Sequence, residues 1–420
     1  MDTLISSYSN KEVPFHFAGT DLSFFLSQAL FSSYEIDRGS RLLLKTLGKR
    51  VDFDRISTVL DIGCGVGTLG ISLQKGFPHI KVTMQDRDAL AVAFSRYNAR
   101  YNAADGADAV GGLAFQGLEQ QVFDLIVSNI PAKAGEPVLR DMFGTMLQRS
   151  AMAAVVVVRP LADYTAGTLQ ALGAEVSFRE EGPGHTVFHF ASAESPSPAP
   201  RDSASSSASS SFSNSFSAPA EDLPSAYFRT TEHFECGHTT YSLDTVWGLA
   251  DFDTVPFQTR VVEKSIRAAD RLRRVCIWNP GQGHTSSMLA ASLPSQLYID
   301  LMGRDMLALQ TSRHNLLGRQ QVRLGKLRHS PGPRAAASQL KKDAAEAHPD
   351  LFIVELEHLA GVPSSHEVLA AGELLLDTGG TLLITGKSAH LAQFERSPAG
   401  FRPIASKKHK GYKSVVLNRL

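Results

Sequence analysis

Three side chains able to do polar chemistry, Asp61, Asp86 and Asn129, each stand at the end of an apolar run. The first run, Val59–Gly70, reads VLDIGCGVGTLG: a short strand ending in Asp61, a turn through Gly63, Cys64, Gly65 and Gly67, and the start of a helical pattern with Leu69, Ile71 and Leu73. Glycines in such a turn let the backbone approach a ligand closely. A nicotinamide site would place a pyrophosphate at the helix N-terminus. An acid ahead of the turn argues against that and for a cationic or amino-bearing ligand. The second run, Ile80–Met84, ends in Gln85-Asp86, where a carboxylate accepts both hydroxyls of a ribose. The third, Phe123–Ser128, delivers Asn129-Ile130-Pro131-Ala132-Lys133-Ala134-Gly135. All three points fall at the carboxyl ends of strands, where open α/β sheets bind ligands.

Positioning these residues requires alternating strands and helices. Apolar runs predict strands at Thr58–Asp61, Lys81–Gln85, Phe123–Ser128, Ala153–Arg159, Glu175–Arg179 and Thr186–Phe190. Helical patterns fit between them at Thr68–Gln74, Ala89–Asn98, Pro137–Gln148 and Tyr164–Leu172, and Asp88 is placed to cap the second of these. This is the pattern of a doubly wound α/β sheet. Residues 191–222 are dominated by Ser, Ala and Pro and read as a linker too poor in apolar surface to fold. Residues 223–420 repeat the order of residues 1–190 in worn form. Val275–Gly283 corresponds to the glycine turn, and strands are expected at Leu297–Asp300, Leu351–Glu355, Gly380–Thr385 and Lys413–Leu417. Asp251-Phe252-Asp253-Thr254 echoes the approach segment Ile36-Asp37-Arg38-Gly39. We read a tandem duplication whose second copy is chemically degenerate. Trp278 or Asn279 stands for Asp61, and Glu355-Leu356-Glu357-His358 stands for the asparagine-proline loop.

Composition bounds the function. At 420 residues with 43% apolar content, the chain has material for two packed domains. No apolar run is long enough to span a membrane, and the first ten residues lack the basic and apolar regions of a secretion signal. Cys64, Cys236 and Cys276 are far apart and outside any metal-ligand spacing, and His185 and His189 have no suitably spaced partner, so no metal is expected. A cytoplasmic protein is the expectation. Zero net charge conceals an asymmetry, for residues 223–420 carry 24 Lys+Arg against 18 Asp+Glu. Two stretches there, Arg313–Lys342 and Phe401–Leu420, contain several bases and no acid, which suits a surface for structured RNA.

The succession IDRGSRLLL, DIGCGVGTLG and NIPAKAG resembles the class I S-adenosylmethionine (SAM) methyltransferases of the "methyltransferase small" group, which includes ribosomal RNA guanine-N2 methyltransferases, several of them tandem duplications. The resemblance is strongest over residues 35–140. It implies two Rossmann-like methyltransferase domains, SAM as cofactor, and a cofactor site of Asp61, Gly63, Cys64, Gly65, Gly67 and Asp86, with Gln116 standing where relatives carry an acid for the adenine amine. It implies that Asn129, Ile130 and Pro131 hold an exocyclic amine of the substrate. Cys64 is expected to pack rather than react, and Lys133 is a candidate phosphate contact. Two departures mark the loop. Ile130 replaces a proline, which would loosen the backbone, and Ala132 replaces a larger residue able to stack on the base. The substrate expected is guanine N2 of ribosomal RNA, free or in a subunit. A protein glutamine, a DNA adenine, or decay to a SAM- or RNA-binding protein are the alternatives.

Overall fold

A computed structural model describes residues 3–30, 34–193, 223–266, 272–293, 296–343, 348–357, 364–396 and 398–420. The chain forms two compact units, one on either side of the serine-rich segment. Most of that segment, from residue 194 to 222, lies outside the described residues.

The first unit opens with an antiparallel hairpin of β1 (Lys11–Phe17) and β2 (Thr20–Leu26), followed by a helix at Arg38–Arg50. Its main sheet contains β3 (Thr58–Ile62), β4 (Lys81–Asp86), β5 (Ala107–Gly111), β6 (Phe123–Asn129), β7 (Ser150–Val158), β8 (Ala174–Glu181) and β9 (His185–Ser192). The order across the sheet is β5-β4-β3-β6-β7-β9-β8, with β9 antiparallel to both of its neighbours and the other pairs parallel. The strand order reverses between β3 and β6, so the carboxyl ends of these strands flank the crevice expected to bind a ligand. Central strands are buried on both faces, which explains their unbroken apolar runs. On one face Leu60, Ile126, Val155, Phe143, Phe188 and Phe190 form a core. The helix Arg38–Arg50 packs against β7 and β9 and buries Leu43, Leu44 and Leu47.

The second unit repeats this plan. A hairpin of β10 (Phe228–Cys236) and β11 (Thr239–Val246) leads through a helix at Phe257–Glu263 to a sheet of β12 (Arg274–Trp278), β13 (Leu297–Gly303), β14 (Val322–His329), β15 (Leu351–Glu355), β16 (Thr381–Lys387), β17 (Phe401–His409) and β18 (Tyr412–Arg419). Its order, β14-β13-β12-β15-β16-β18-β17, is that of the first sheet element for element. The two tandem Rossmann-like folds inferred from the sequence are thus present.

All six strands expected in the first unit are found, most extended by a residue or more. Strand β5 was not foreseen, because ADAVG lacks the β-branched run that marks its neighbours. Strand β9 runs to Ser192, so the linker expected from residue 191 begins in a strand.

Sheet register corrects the alignment of the two halves. Gly63 N–H donates to Gln85 O at 2.8 Å, and Asn279 N–H donates to Met302 O at 2.8 Å, so Asn279 matches Gly63. The counterpart of Asp61 is therefore Ile277, not Trp278 or Asn279, and that of Asp86 is Gly303. Glu355 pairs with Thr385 as Asn129 pairs with Val156, which places it at the Asn129 position as expected. The helix that follows the hairpin is capped by Pro256, so Asp37 corresponds to Pro256 rather than to a residue of the Asp251–Thr254 segment.

Asp300 serves the fold of the second unit. Its carboxylate is fully buried, takes Arg274 Nε at 2.8 Å, and accepts the Lys326 backbone N–H at 2.8 Å. Removing one partner of such a pair strands a buried charge, at a cost of about 3–5 kcal/mol. Asp300→Ala should lower the unfolding free energy of the second unit by about that amount. Both tryptophans, Trp247 and Trp278, lie in this unit, so urea denaturation followed by tryptophan fluorescence reports on it alone.

Candidate active site

The turn after β3 has the backbone its glycines permit. Gly63, Gly65 and Gly67 have φ of 73°, 59° and 86°, in the left-handed region that other residues rarely adopt. A Cβ on Gly63 or Gly65 would meet nothing within 4 Å, so both face open space, whereas a Cβ on Gly67 would lie 2.6 Å from Ile71 Cδ1. The turn is tied from behind. Asn98 Nδ2 donates to Val66 O at 2.9 Å, and Ser95 Oγ donates to Gly65 O at 3.0 Å.

Asp61 is fully buried, and its Oδ2 accepts the Gly70 N–H at 2.9 Å. Its Oδ1 is equally buried and has no hydrogen-bond partner. Burial pushes the carboxyl up to about 7; the charge of Asp86 adds to the effect, and the Gly70 bond opposes it. Asp86 Oδ2 accepts the Gly65 N–H at 2.9 Å, which joins the end of β4 to the turn. Gln85 Nε2 donates to Gln116 O at 2.7 Å, so the loop bearing Gln116 is fixed by its backbone to the same strand end. Cys64 is buried and lies 3.3 Å from Ser95 Oγ. Burial, then the charges of Asp86 and Asp61, raise its thiol well above the usual range, as befits a packing residue. A buried carboxylate with one unpartnered oxygen, beside a turn open at two glycines, fits an amino-bearing nucleotide cofactor.

Asn129 ends β6, and its amide is held by residues 89 and 92 positions earlier in the chain. Its Nδ2 donates to Asp37 Oδ2 at 2.7 Å and to Ser40 Oγ at 3.0 Å. The same Asp37 oxygen accepts the Ser40 N–H at 3.0 Å as the N-cap of the helix Arg38–Arg50. An ionised carboxylate only accepts, so the Asn129 NH2 must face Asp37 and its Oδ1 must point away from the pair. Glycine at position 39 is required by close approach, since a Cβ there would sit 2.8 Å from Asp37 Oδ2 and 3.0 Å from His185 Cδ2. Asp37 and Ser40 were not foreseen as site residues, although IDRGSR signalled them.

The next residue, Ile130, donates its N–H to Val156 O at 2.9 Å, a bond proline cannot make, and its side chain is only 2% exposed among Leu60, Ile62 and Leu139. The loosening expected from the missing proline is therefore offset by burial and a sheet hydrogen bond. Pro131, Ala132 and Lys133 are exposed. His189 is a core residue, bonded to Thr46 Oγ1 at 2.9 Å and lowered to about 4 by burial and then by Arg50. Among the described residues no cluster of His, Cys, Asp or Glu could hold a metal ion, and no helix is long and apolar enough to cross a membrane.

The structure thus brings together Asp61, Gly63, Cys64, Gly65, Gly67 and Asp86 around one turn, ties Gln116 to the neighbouring strand, and sets Asn129, Ile130 and Pro131 at the end of the adjacent strand. The second unit has Ile277, Gly303, Glu355 and Pro256 where the first has Asp61, Asp86, Asn129 and Asp37. It lacks both cofactor-side carboxylates and the anchored amide.

The Asp61 carboxyl gives the first unit a pH signature. Its folded value of about 7 lies above the usual 3.8 of an aspartate, so the folded state binds the extra proton between these limits. Stability from this group is full below pH 4 and is lost as pH rises through 7. Asp61→Asn should flatten that decline, as checked by thermal unfolding of ligand-free protein at pH 5, 6, 7 and 8.

Residues 21–155 match the methyltransferase small domain family. Ribosomal RNA small subunit methyltransferase C of Actinobacillus pleuropneumoniae serotype 3 (strain JL03) is 46% identical over 116 residues, 27% of this chain and 34% of the relative. Its namesake from Pseudomonas putida (strain GB-1) is 37% identical over 123 residues, 29% of this chain and 35% of the relative. The chain thus matches about a third of the length of these relatives. The solved structure of a T. thermophilus 16S rRNA N2 methyltransferase, in complex with AdoMet and guanosine, covers 99% of this chain and 100% of its own, with a TM-score of 0.64 and 16% identity, a likeness of fold. The first unit thus has the fold of a class I methyltransferase and carries, over residues 21–155, a match to the methyltransferase small domain, and the second unit repeats its strand order without the carboxylates at the turn.

Proposed function

We propose that this chain is a SAM-dependent N-methyltransferase acting on an exocyclic amine of RNA, guanine N2 of ribosomal RNA. The observation that carries the reading is the anchored amide of Asn129, whose Oδ1 is left to accept at the end of the strand paired with β3. The names of the relatives, both ribosomal RNA methyltransferases, supply the substrate class.

SAM would sit on the open turn at Gly63 and Gly65, with its amino group toward Asp61 and its ribose toward Asp86, and would supply an electrophilic methyl group. An amine on guanine C2 is a weak nucleophile because its lone pair is delocalised into the ring. Asn129 Oδ1 and the Ile130 carbonyl each accept one N–H of that amine, so the lone pair is turned out of conjugation and toward the methyl. No strong base is needed at this stage, since the proton leaves after transfer from a nitrogen made acidic by alkylation. The barrier falls chiefly through alignment, and well-oriented groups contribute about 7–11 kcal/mol. Ala132 offers no stacking surface, so the base must be held by other contacts. An amine inside a duplex would have to be extruded first.

Transfer of radiolabelled methyl from SAM to total RNA and to ribosomal subunits, followed by nuclease digestion, tests the reading. Label in N2-methylguanosine that falls at least a hundredfold in Asn129→Ala, with SAM binding retained, is the expected result, in keeping with about 2.7–4 kcal/mol for one positioned polar group. Label confined to protein or DNA, or none in any fraction, would overturn it. A second expectation concerns the cofactor. A cationic amino group requires Asp61 as the carboxylate, so SAM affinity should rise roughly tenfold between pH 6 and pH 8. Calorimetric titration should show that rise abolished in Asp61→Asn.

A further inference from the structure

The two copies have diverged in charge at one matched place. In the first unit the β8–β9 hairpin closes through Gly182 and His185; Glu181 pairs with Thr186 and Glu180 with Val187. In the second, β17–β18 closes through His409 and Tyr412; Lys408 pairs with Lys413 and Lys407 with Ser414. Counted back from the turn, Glu180-Glu181 has become Lys407-Lys408, with Lys410 added in the turn itself. A reversal at positions that make the same sheet contacts is not demanded by the fold.

The surroundings extend this basic end. Lys264 Nζ lies 3.1 Å from His409 Nδ1. Phe257, 37% exposed, lies 5.6 Å from the His409 ring and 5.5 Å from the Tyr412 ring, with Lys410 Nζ 5.7 Å from its centroid. The His409 imidazole is held below its usual value by desolvation and by Lys264, Lys410 and Arg260. Lys264, Lys407, Lys408 and Lys410 are exposed and have no carboxylate partner among the described residues. Lys413, by contrast, is paired with Glu395. Glu263 is the acid on the adjoining helix, and it lies against Gly237.

The other basic stretch, Arg313–Lys342, is partly committed inside the unit. Arg319 is spent on Asn315 O and Ser242 O, at 2.7 and 2.8 Å, and Arg328 is buried. The remaining bases of that stretch are spread over two helices and β14.

We propose that the turn end of β17–β18, with Lys264 and the exposed ring of Phe257, is an RNA-docking surface on the degenerate unit. Lys264, Lys407, Lys408 and Lys410 take backbone phosphates, and Phe257 takes an unpaired base. The proposal rests on RNA as the substrate. Duplication and loss of the cofactor site left this unit free to change its charge, and the change gives a polyanion a second point of attachment.

Fluorescence anisotropy of a labelled 20-nucleotide single-stranded RNA, titrated without SAM across a range of salt, tests it in the full chain. The triple charge reversal K407E/K408E/K410E should cut affinity at least tenfold and reduce the slope of log K against log salt by about 2, at about 0.7 per lost phosphate contact. Phe257→Ala should weaken binding by roughly five- to a hundredfold, the range for one stacked base. R323E/K326E should bind nearly as the wild type does. Wild-type binding with an unchanged slope in the triple variant would sink the surface and leave the methyltransferase reading standing. Failure of the wild type to bind RNA at all would count against both readings. A polyglutamate competitor as effective as RNA, with no effect of Phe257→Ala, would show a general anion sink and overturn the assignment.

Discussion

The carboxylate of Asp37 decides which way the Asn129 amide faces. An amide has a donor end and an acceptor end of nearly equal size, and only its neighbours determine the choice. Here a residue that can only accept sits 2.7 Å from the nitrogen, and Ser40 holds the second N–H. Three parts of the fold must be right for this to happen. The helix Arg38–Arg50 must pack on β7 and β9, β6 must end at Asn129, and Gly39 must leave room beside the cap. A hydrogen bond that caps a helix thus also sets the polarity of a side chain far along the sequence.

The duplication shows how separable folding and chemistry are in this architecture. Both copies keep the strand order, the left-handed turn, with Asn279 at φ 59° in place of Gly63, and the helix packed before the first central strand. The second copy keeps Ser312 and Asn315 bonded to the turn as Ser95 and Asn98 are in the first, but it has Ile277, Gly303 and Glu355 in place of Asp61, Asp86 and Asn129, and its buried Asp300 is committed to Arg274. A strand-to-helix turn needs glycine for its backbone whether or not it holds a ligand, so Gly281 and Gly283 persist where the carboxylates do not.

Much of this was legible in the sequence, for physical reasons. Buried parallel strands have to be apolar on both faces, and a left-handed turn has to be glycine, so β3, β4, β6 and the turn between β3 and its helix announce themselves. The edge strand β5, with two alanines and a glycine, carries no such signal. The first hairpin carries only a short alternation of buried and exposed residues, broken by Pro14, which is a weaker signal than an unbroken apolar run. Asp37 was quoted as part of a motif but not as part of the site, because a contact across 92 residues leaves no periodicity. Ile130 looked like a weakened proline until its burial and its bond to Val156 were visible. The basic runs look alike as strings, and only the fold shows which of their side chains are spent inside, among them Arg319, Arg328 and Lys413.

The most direct test of the account compares two substitutions of Asp37 in the full chain. Serine caps a helix about as well as aspartate but falls one atom short of Asn129, whereas asparagine keeps an oxygen able to accept from it. If Asp37 orients the amide, Asp37→Ser should lose roughly a hundredfold in kcat for methyl transfer to RNA. Asp37→Asn should stay close to wild type, and both should keep the wild-type Tm and KM for SAM. A serine variant as fast as wild type would show that Asp37 is a cap alone and that the amide of Asn129 is oriented by something else.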